Sequence, residues 1–265
     1  MTGSTEPLIA VFIDFENLAL GTKDGSASGT AFDAGIVLQR MLEKGRIVYK
    51  RAYCDWNRFR GSTRSLHEHG VELVEIPQSK QSGKNSADIR MVVDAIDLCY
   101  AKQHIDIFAL VTGDSDFSPL AAKLKENDKR VIGCGVRQST SSLLIGSCDE
   151  FIYYDDLAKK KKAARPSKKA TAKSPGTGGI SRVVEIVESL EGDHTVLWGS
   201  MVKQALRRVD PGFSERDYGY DSFAGLLEAA DDEGVLEIDF DEDRGNYAVS
   251  LPSQRRSKSR TSRSK

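Results

Sequence analysis

The chain has 265 residues, of which 39% are hydrophobic and 29% charged, and its formal net charge is −1. This length suffices for one sizeable core and a second, smaller domain. No apolar run approaches the roughly 20 residues of a membrane span, and no basic segment precedes the first apolar run, so neither a membrane protein nor a secretory signal is expected. The four cysteines are widely spaced without a Cys-x-x-Cys motif, which favours reduced thiols in a cytoplasmic protein over a zinc site.

The first predicted element is a buried strand that ends in an acid. Residues 8–13 form a continuous apolar run, Asp14 follows directly, and Asn17 stands three residues later. Beyond this run, helical and strand patterns alternate along the chain, which is typical of an α/β domain. The expected helices lie at 34–45 and 58–69, and the expected strands at 46–55 and 71–76.

The segment 55–64 combines aromatic and basic side chains. Trp56 and Phe59 stand beside Arg58 and Arg60. Such rings can stack on bases while the arginines contact phosphates, as in proteins that bind single strands. A place in the hydrophobic core fits Trp56 equally well.

A basic loop, 77–87, precedes the next helix. Lys80 and Lys84 in this loop, and Arg90 at the start of the helix, are candidates for binding the phosphate oxygens of RNA. A plain solvated loop explains the same residues equally well.

The helix that follows carries an acid on its buried face. Apolar residues recur 3, 4, 7 and 8 positions after Asp88, so Asp88 shares their face at the first turn. These apolar residues are Met91, Val92, Ala95 and Ile96. Asp94 and Asp97 fall elsewhere on the helix and are expected in solvent.

The most informative segment is 112–120, Thr-Gly-Asp-Ser-Asp-Phe-Ser-Pro-Leu, which follows an apolar run at 105–111. The run predicts a buried strand, and Gly113 permits a sharp turn at its end. Asp114 and Asp116 are costly to desolvate unless positive charge lies beside them. A hard divalent cation, which prefers oxygen ligands, is the usual solution.

A helix N-cap is the alternative explanation for either aspartate. A helix is expected from Phe117 to about Glu126, and aspartate is a favoured N-cap residue. A further strand is expected at 130–136. For this segment alone, the metal site and the cap remain equally open.

The predicted topology brings the acids together. In a parallel α/β sheet, helices begin where strands end, and ligands bind at the carboxyl edge of the strands. The acids expected at this edge are Asp14, Asp88, Asp114 and Asp116.

Three motifs resemble those of the NYN domain of LabA-like proteins, which are relatives of the PIN-domain ribonucleases. The three motifs occur in the same order as in that family, and the resemblance covers roughly residues 7–157. The motifs are Ile-Asp-Phe-Glu-Asn at 13–17, the Asp88 helix preceded by Lys84, and Thr-Gly-Asp-Ser-Asp-Phe at 112–117. The resemblance implies a Rossmann-like or PIN-like parallel sheet flanked by helices, and a metal-dependent attack on RNA phosphodiesters.

The resemblance also implies roles for individual residues. Asn17 would orient a water molecule or a phosphate oxygen, and Thr112 and Ser115 would add neutral hydrogen bonds. The ions would activate a water molecule and stabilise charge on the phosphate. The residues implied to hold one or two Mg²⁺ or Mn²⁺ ions are Asp14, Asp88, Asp114 and Asp116.

The near-zero net charge conceals two basic segments. Eight basic residues lie in 159–173 and six in 254–265, with no acid in either. The rest of the chain holds 24 basic against 39 acidic residues, about −15. Cationic arms on an acidic body suit a polyanion such as RNA, and solubilising segments are the alternative. The expected layout is an NYN domain at 1–157, a basic disordered linker at 158–178, a second domain at 179–251 and a basic disordered tail at 252–265.

The second domain is predicted to be a small α+β unit of the winged-helix type. Helices are expected at 180–190 and 195–209, a third around Phe223, and a β-hairpin at 235–251. Residues 218–230, which include a glycine followed four positions later by Phe223, resemble the OST-HTH or LOTUS domain. That family implies RNA binding or protein interaction.

The charges of this domain leave both roles open. Its expected wing is acidic, which disfavours phosphate contact there. Its basic surface is expected on the second helix, at Lys203, Arg207 and Arg208. RNA, single-stranded or structured, is the expected partner; a protein partner is the alternative, and no membrane partner is expected.

The sequence thus predicts a metal-dependent ribonuclease with an RNA-binding module. The alternative is a non-catalytic RNA-binding adaptor that keeps the metal-site fold. Phosphoryl transfer on a small molecule is a third class, disfavoured by the cationic arms and the second domain.

Overall fold

The computed structural model describes residues 6–25, 32–76, 86–164 and 177–252, without the side chains of 23–25, 162–164 and 177. The chain divides into two compact units, 1–169 and 170–265. None of the described helices is long and apolar enough to cross a membrane. The basic loop residues Lys80 and Lys84, most of the expected linker and nearly all of the basic tail lie outside the described residues.

The first unit alternates strands and helices, which confirms the predicted α/β class. Its strands are β1 (Leu8–Asp14), β2 (Arg46–Cys54), β3 (Glu72–Glu75), β4 (Ile107–Val111), β5 (Arg130–Gly135) and β6 (Glu150–Tyr153). Its helices are α1 (Phe15–Gly25), α2 (Ala34–Lys44), α3 (Arg60–Glu68), α4 (Ser86–Ala101), α5 (Ser118–Glu126), α6 (Ser142–Ser147) and α7 (Tyr154–Ala164).

The strands form one parallel sheet in the order β3-β2-β1-β4-β5-β6. The chain runs outward from β1 to β3, then crosses back to start β4 on the other side of β1. The strand order therefore reverses between β1 and β4. The crevice outside the carboxyl ends of these two strands is a topological switch point, where ligands of such sheets bind.

The apolar runs are continuous because the central strands are buried on both faces. In β1, Ile9, Val11 and Ile13 pack into one core layer, and Ala10 and Phe12 pack into the other. All five are 0% exposed. Covering both faces with helices is what a parallel sheet requires, and it removes the alternating pattern of a half-exposed strand.

Helix α7 extends into the segment whose composition predicts a linker. Leu157 and Ala158 pack against the core of the first unit. Lys161 Nζ lies 2.8 Å from a carboxylate oxygen of Asp33. The acids of the first turn, Asp155 and Asp156, also favour the helix through its dipole. Residues 158–164 thus continue a helix of the first unit, whose described contacts with the core come from Leu157 and Ala158.

The expectation that Asp94 is solvated is wrong. Its side chain is only 11% exposed and lies between β2 and α4. Arg51 Nη1 and the Tyr53 hydroxyl donate to Oδ2 at 3.1 and 3.0 Å, and Arg90 Nε donates to Oδ1 at 2.8 Å. Arg90 lies one turn earlier on the same helix, whereas Arg51 and Tyr53 come from the strand beneath it, which helical periodicity alone does not reveal.

The second unit has helices and a small antiparallel sheet, as expected. Its helices are α8 (Thr177–Leu190), α9 (Gly199–Val209) and α10 (Phe223–Asp232), and its strands are β7 (Leu197–Trp198), β8 (Glu237–Asp241) and β9 (Asn246–Ser250), in the order β7-β9-β8. The predicted helix at 195–209 begins only at Gly199, because Leu197 and Trp198 pair with β9. Gly219 has φ +87°, a left-handed conformation that favours glycine.

Candidate active site at the carboxyl edge of the sheet

The site lies at the switch point between β1 and β4. Asp14 is the last residue of β1, and Thr112 directly follows β4. The two strands pair in register, with Ile13 beside Val111, so the residues after each strand emerge side by side. Asp88 occupies the first turn of α4.

Asp14 is held by two hydrogen bonds at the base of the site. The Thr112 hydroxyl donates to Oδ2 at 2.9 Å, and the Asn17 backbone N–H donates to Oδ1 at 3.2 Å. The side-chain oxygen of Asn17 accepts from the Gly113 N–H at 3.0 Å. Asn17 therefore ties the start of α1 to the loop after β4, which fixes the approach of the two strand ends.

The loop after β4 is shaped by close contact as well as by capping. A Cβ on Gly113 would lie 2.6 Å from the carbonyl oxygen of Ser139, so only glycine fits there. One carboxylate oxygen of Asp114 accepts from the Asp116 N–H at 2.9 Å. The N-cap interpretation is thus confirmed for Asp114, which caps the 3-10 turn Ser115–Phe117 that leads into α5.

The site acids repel one another. Burial raises the pKa of Asp14 to about 7, with added repulsion from Asp88 and Asp114, although its two hydrogen bonds act in the opposite direction. Burial also raises the pKa of Asp88 to about 6, and the charges of Asp114, Asp116 and Glu16 add to it. The four predicted aspartates are therefore one electrostatic group.

Glu16 is a member of this group that the sequence reasoning missed. It lies in the same Ile-Asp-Phe-Glu-Asn motif, two residues after Asp14, and its side chain is 26% exposed. The sequence does carry a signal for Glu16, because it is the second residue of the helix that begins directly after the first strand. Its carboxylate pairs with Arg58.

The aspartates of the site have the chemistry of a hard-cation site, but their carboxylates are too far apart to form a coordination shell in this structure. Among the described residues, no three histidine, cysteine, aspartate or glutamate side chains stand close enough together to hold a metal ion. The acids interact by charge over longer distances, and Asp116 is exposed at the rim. All donors are carboxylates, which fit Mg²⁺ or Mn²⁺. Burial is the main cause of the raised pKa of Asp14, and the neighbouring charges of Asp88 and Asp114 add to it.

Two other candidates near the site have internal partners. Trp56 is buried, and its Nε1–H donates to the Val74 carbonyl at 3.1 Å, so Trp56 belongs to the core. Arg90, on the exposed surface of α4, is paired with Asp94.

The basic surface of the second unit is narrower than its sequence suggests. Lys203 Nζ lies 3.0 Å from Glu215 and 5.4 Å from the ring centre of Phe223, so it contributes to the domain's own packing. Arg207 is exposed and Arg208 partly so, both in the last turn of α9.

The sequence profile of the NYN domain matches residues 8–155, more than half of the chain. The chain belongs to the NYN family. An OST-HTH/LOTUS domain matches residues 180–247. The resemblances to an NYN domain and to an OST-HTH/LOTUS domain are thereby confirmed, in the predicted order.

Among solved structures, a protein of unknown function from Vibrio parahaemolyticus is similar, with 26% identity and a TM-score of 0.52 over 59% of this chain and 98% of that one. The ORC1 protein of Aeropyrum pernix, solved in complex with DNA, aligns over 94% of this chain and 85% of its own at 11% identity. Its TM-score of 0.20 is too low for a shared fold. No protein of curated function matches the chain.

Proposed function

We propose that the NYN domain is a metal-dependent ribonuclease that hydrolyses RNA phosphodiester bonds. The observation that carries the proposal is the group of mutually repelling carboxylates at the switch point, in which Asp14 has a pKa of about 7. The NYN domain belongs to a nuclease superfamily whose members typically use divalent metals. The residues that would hold Mg²⁺ or Mn²⁺ are Asp14, Asp88, Asp114 and Asp116.

A bound ion supplies the activation of a water molecule and the stabilisation of charge on the phosphate. The chain's own residues place its ligands. Thr112 and the Asn17 backbone fix the Asp14 carboxylate, and the Asp116 N–H fixes one oxygen of Asp114. Asp14 would have to be ionised to hold a cation, and because burial raises its pKa to about 7, it would do so most readily above neutral pH.

The second domain is proposed to bind the same RNA through Arg207 and Arg208, which remain at the surface of α9. A tethered second site raises the effective concentration of the catalytic domain on the RNA. The OST-HTH/LOTUS match supports this role, with docking of a protein partner as the alternative outcome.

The test is cleavage of single-stranded and structured RNA by the purified full chain in Mn²⁺, Mg²⁺ or EDTA. Cleavage that needs the metal and is lost in Asp114→Asn supports the proposal. Asp97→Asn, an exposed aspartate on α4, is the matched control and should cleave as wild type does. If Asp114→Asn cleaves RNA at the wild-type rate, the activity comes from a contaminating nuclease.

A non-catalytic RNA-binding adaptor is the second candidate. It is favoured by the open spacing of the acids, since no three of the described metal-ligating side chains converge on one point. RNA binding without cleavage in any of the three buffers would establish it.

A further inference from the structure

An arginine reaches the site from the end of β2. Cys54 is the last residue of β2, and its thiol is affected by the charges at this strand end. Burial raises the pKa of the Cys54 thiol to about 12, and the charges of Glu16 and Asp14 raise it further. Arg58 acts in the opposite direction on the same thiol. Strands β1 and β2 pair with Asp14 beside Tyr53, so the turn after β2 that carries Arg58 begins next to Asp14.

Arg58 is linked to the site through the carboxylate of Glu16. Its guanidinium Nη1 donates to Glu16 Oε1. The charge of Glu16 in turn raises the pKa of Asp88. Among the described residues, the charges with the largest effects on the pKa of Asp14 and Asp88 are those of carboxylates, so this arginine brings the opposite sign to the rim of an acidic site.

The guanidinium of Arg58 lies against a cluster of aromatic rings. Its guanidinium carbon lies 5.6 Å from the ring centre of Phe59. The rings of Phe59 and Trp56 pack on Phe15 at 5.6 and 5.2 Å, and Phe15 stands between Asp14 and Glu16 in the chain. The Arg58 side chain remains 44% exposed. The cation is thus anchored to the strand end that carries the acids and is still accessible to a ligand.

The pairing with Glu16 has the chemistry of a phosphate contact. The planar guanidinium fork matches the two oxygens of a carboxylate or of a phosphate equally well. A partly exposed ion pair contributes little to stability, so stability alone does not explain its place. We propose that Arg58 binds a backbone phosphate of the RNA beside the acid group, with the phosphate replacing the carboxylate of Glu16. This assignment rests on the proposed function and adds a substrate-binding residue to it.

The test compares Arg58→Gln, Arg58→Lys and Glu16→Gln in two measurements. The first is RNA binding by fluorescence anisotropy in an Asp114→Asn background, which does not depend on turnover. The second is the KM and kcat for cleavage of a short RNA. The matched control is Arg64→Gln, an arginine on α3 that is 90% exposed and paired with Glu68.

Arg58→Gln should weaken binding about tenfold and reduce the slope of log K against log salt by about 1. Arg58→Lys should recover part of the affinity, because it keeps the charge but loses the fork. Glu16→Gln should not weaken binding in the Asp114→Asn background, since it frees Arg58. In cleavage, Arg58→Gln should raise KM more than it lowers kcat, and Arg64→Gln should change neither.

The outcomes separate this assignment from the proposed nuclease activity. If Arg58→Gln binds RNA like Arg64→Gln, with an unchanged salt slope, the assignment is wrong whether or not the chain cleaves RNA. If binding depends on Arg58 but wild type never cleaves, the nuclease proposal fails and the phosphate contact stands. Equal melting temperatures of Arg58→Gln and Arg64→Gln exclude a folding defect as the cause.

Discussion

Replacing Asp14 by asparagine should stabilise the metal-free protein at alkaline pH. The ionised carboxylate is buried beside other acids, and its pKa rises from 3.8 to about 7. Asparagine has the same shape, can accept the Asn17 N–H with its oxygen and can donate to the Thr112 hydroxyl with its amide. It therefore removes the buried charge and keeps the contacts.

The expected magnitude follows from that pKa. Each factor of ten in proton affinity corresponds to about 1.4 kcal/mol, so the ionised Asp14 costs the fold up to ~4 kcal/mol above pH 7. Because the folded pKa lies above the unfolded one, the folded state binds more protons, and stability falls as pH rises from about 4 to about 7. Wild type should lose about 2–3 kcal/mol between pH 5 and pH 8 through this group, and Asp14→Asn should not.

The assay is urea denaturation in EDTA at pH 5 and pH 8. The chain has two tryptophans, and Trp56 is buried in the first unit. A Trp198→Phe background therefore makes fluorescence report on the unit that contains the site. Asp97→Asn, on the exposed face of α4, is the matched loss of one carboxylate.

The decisive quantity is the difference in the free energy of unfolding between Asp14→Asn and wild type, compared at pH 5 and pH 8. This difference is called the gap below. The gap should be largest at pH 8 and shrink at pH 5, while the Asp97→Asn gap stays constant. A pH-independent gap, or an Asp14→Asn protein that is less stable than wild type at pH 8, would refute the reasoning.

Four further predictions follow from the same structure. Mn²⁺ should raise the melting temperature of wild type, and more at pH 8 than at pH 6, but not that of Asp114→Asn; equal metal stabilisation of both, measured by differential scanning fluorimetry, would contradict the site. Gly219→Ala should destabilise the second unit by about 1–2 kcal/mol in urea denaturation, because alanine resists φ +87°. A chain that ends after Ala164 should keep metal-dependent cleavage of a short RNA with weaker binding, whereas one that ends at 153 should melt earlier because it lacks α7. Charge reversal of Arg207 and Arg208 should weaken RNA binding and flatten its salt dependence without lowering the melting temperature; unchanged binding would favour a protein-docking role.

The sequence by itself determined the architecture and which aspartates lie near the carboxyl ends of β1 and β4. Continuous apolar runs such as 8–13 and 105–111 identify doubly buried parallel strands, and an aspartate within three residues of each run lies at the ligand-binding edge. The helical spacing after Asp88 placed it at the first turn of α4, on a partly buried position. These features are readable because burial and periodicity act on residues that are neighbours along the chain.

Only the tertiary structure decided the partners of the charged side chains. Glu16 meets Arg58, Asp94 meets Arg51 and Lys203 meets Glu215, across 42, 43 and 12 residues. No local pattern encodes such pairs, because they depend on which strand or loop the packing brings beneath a helix.

The same holds for backbone contacts. Gly113 is required by the approach of the Ser139 carbonyl, and α7 has a core surface against which Leu157 and Ala158 pack. The composition shows only a lysine-rich segment after Ala158, whereas the residues that it contacts are brought there by the fold. The raised pKa of Asp14 has the same origin, since burial and convergent charge arise only when β1 and β4 lie side by side.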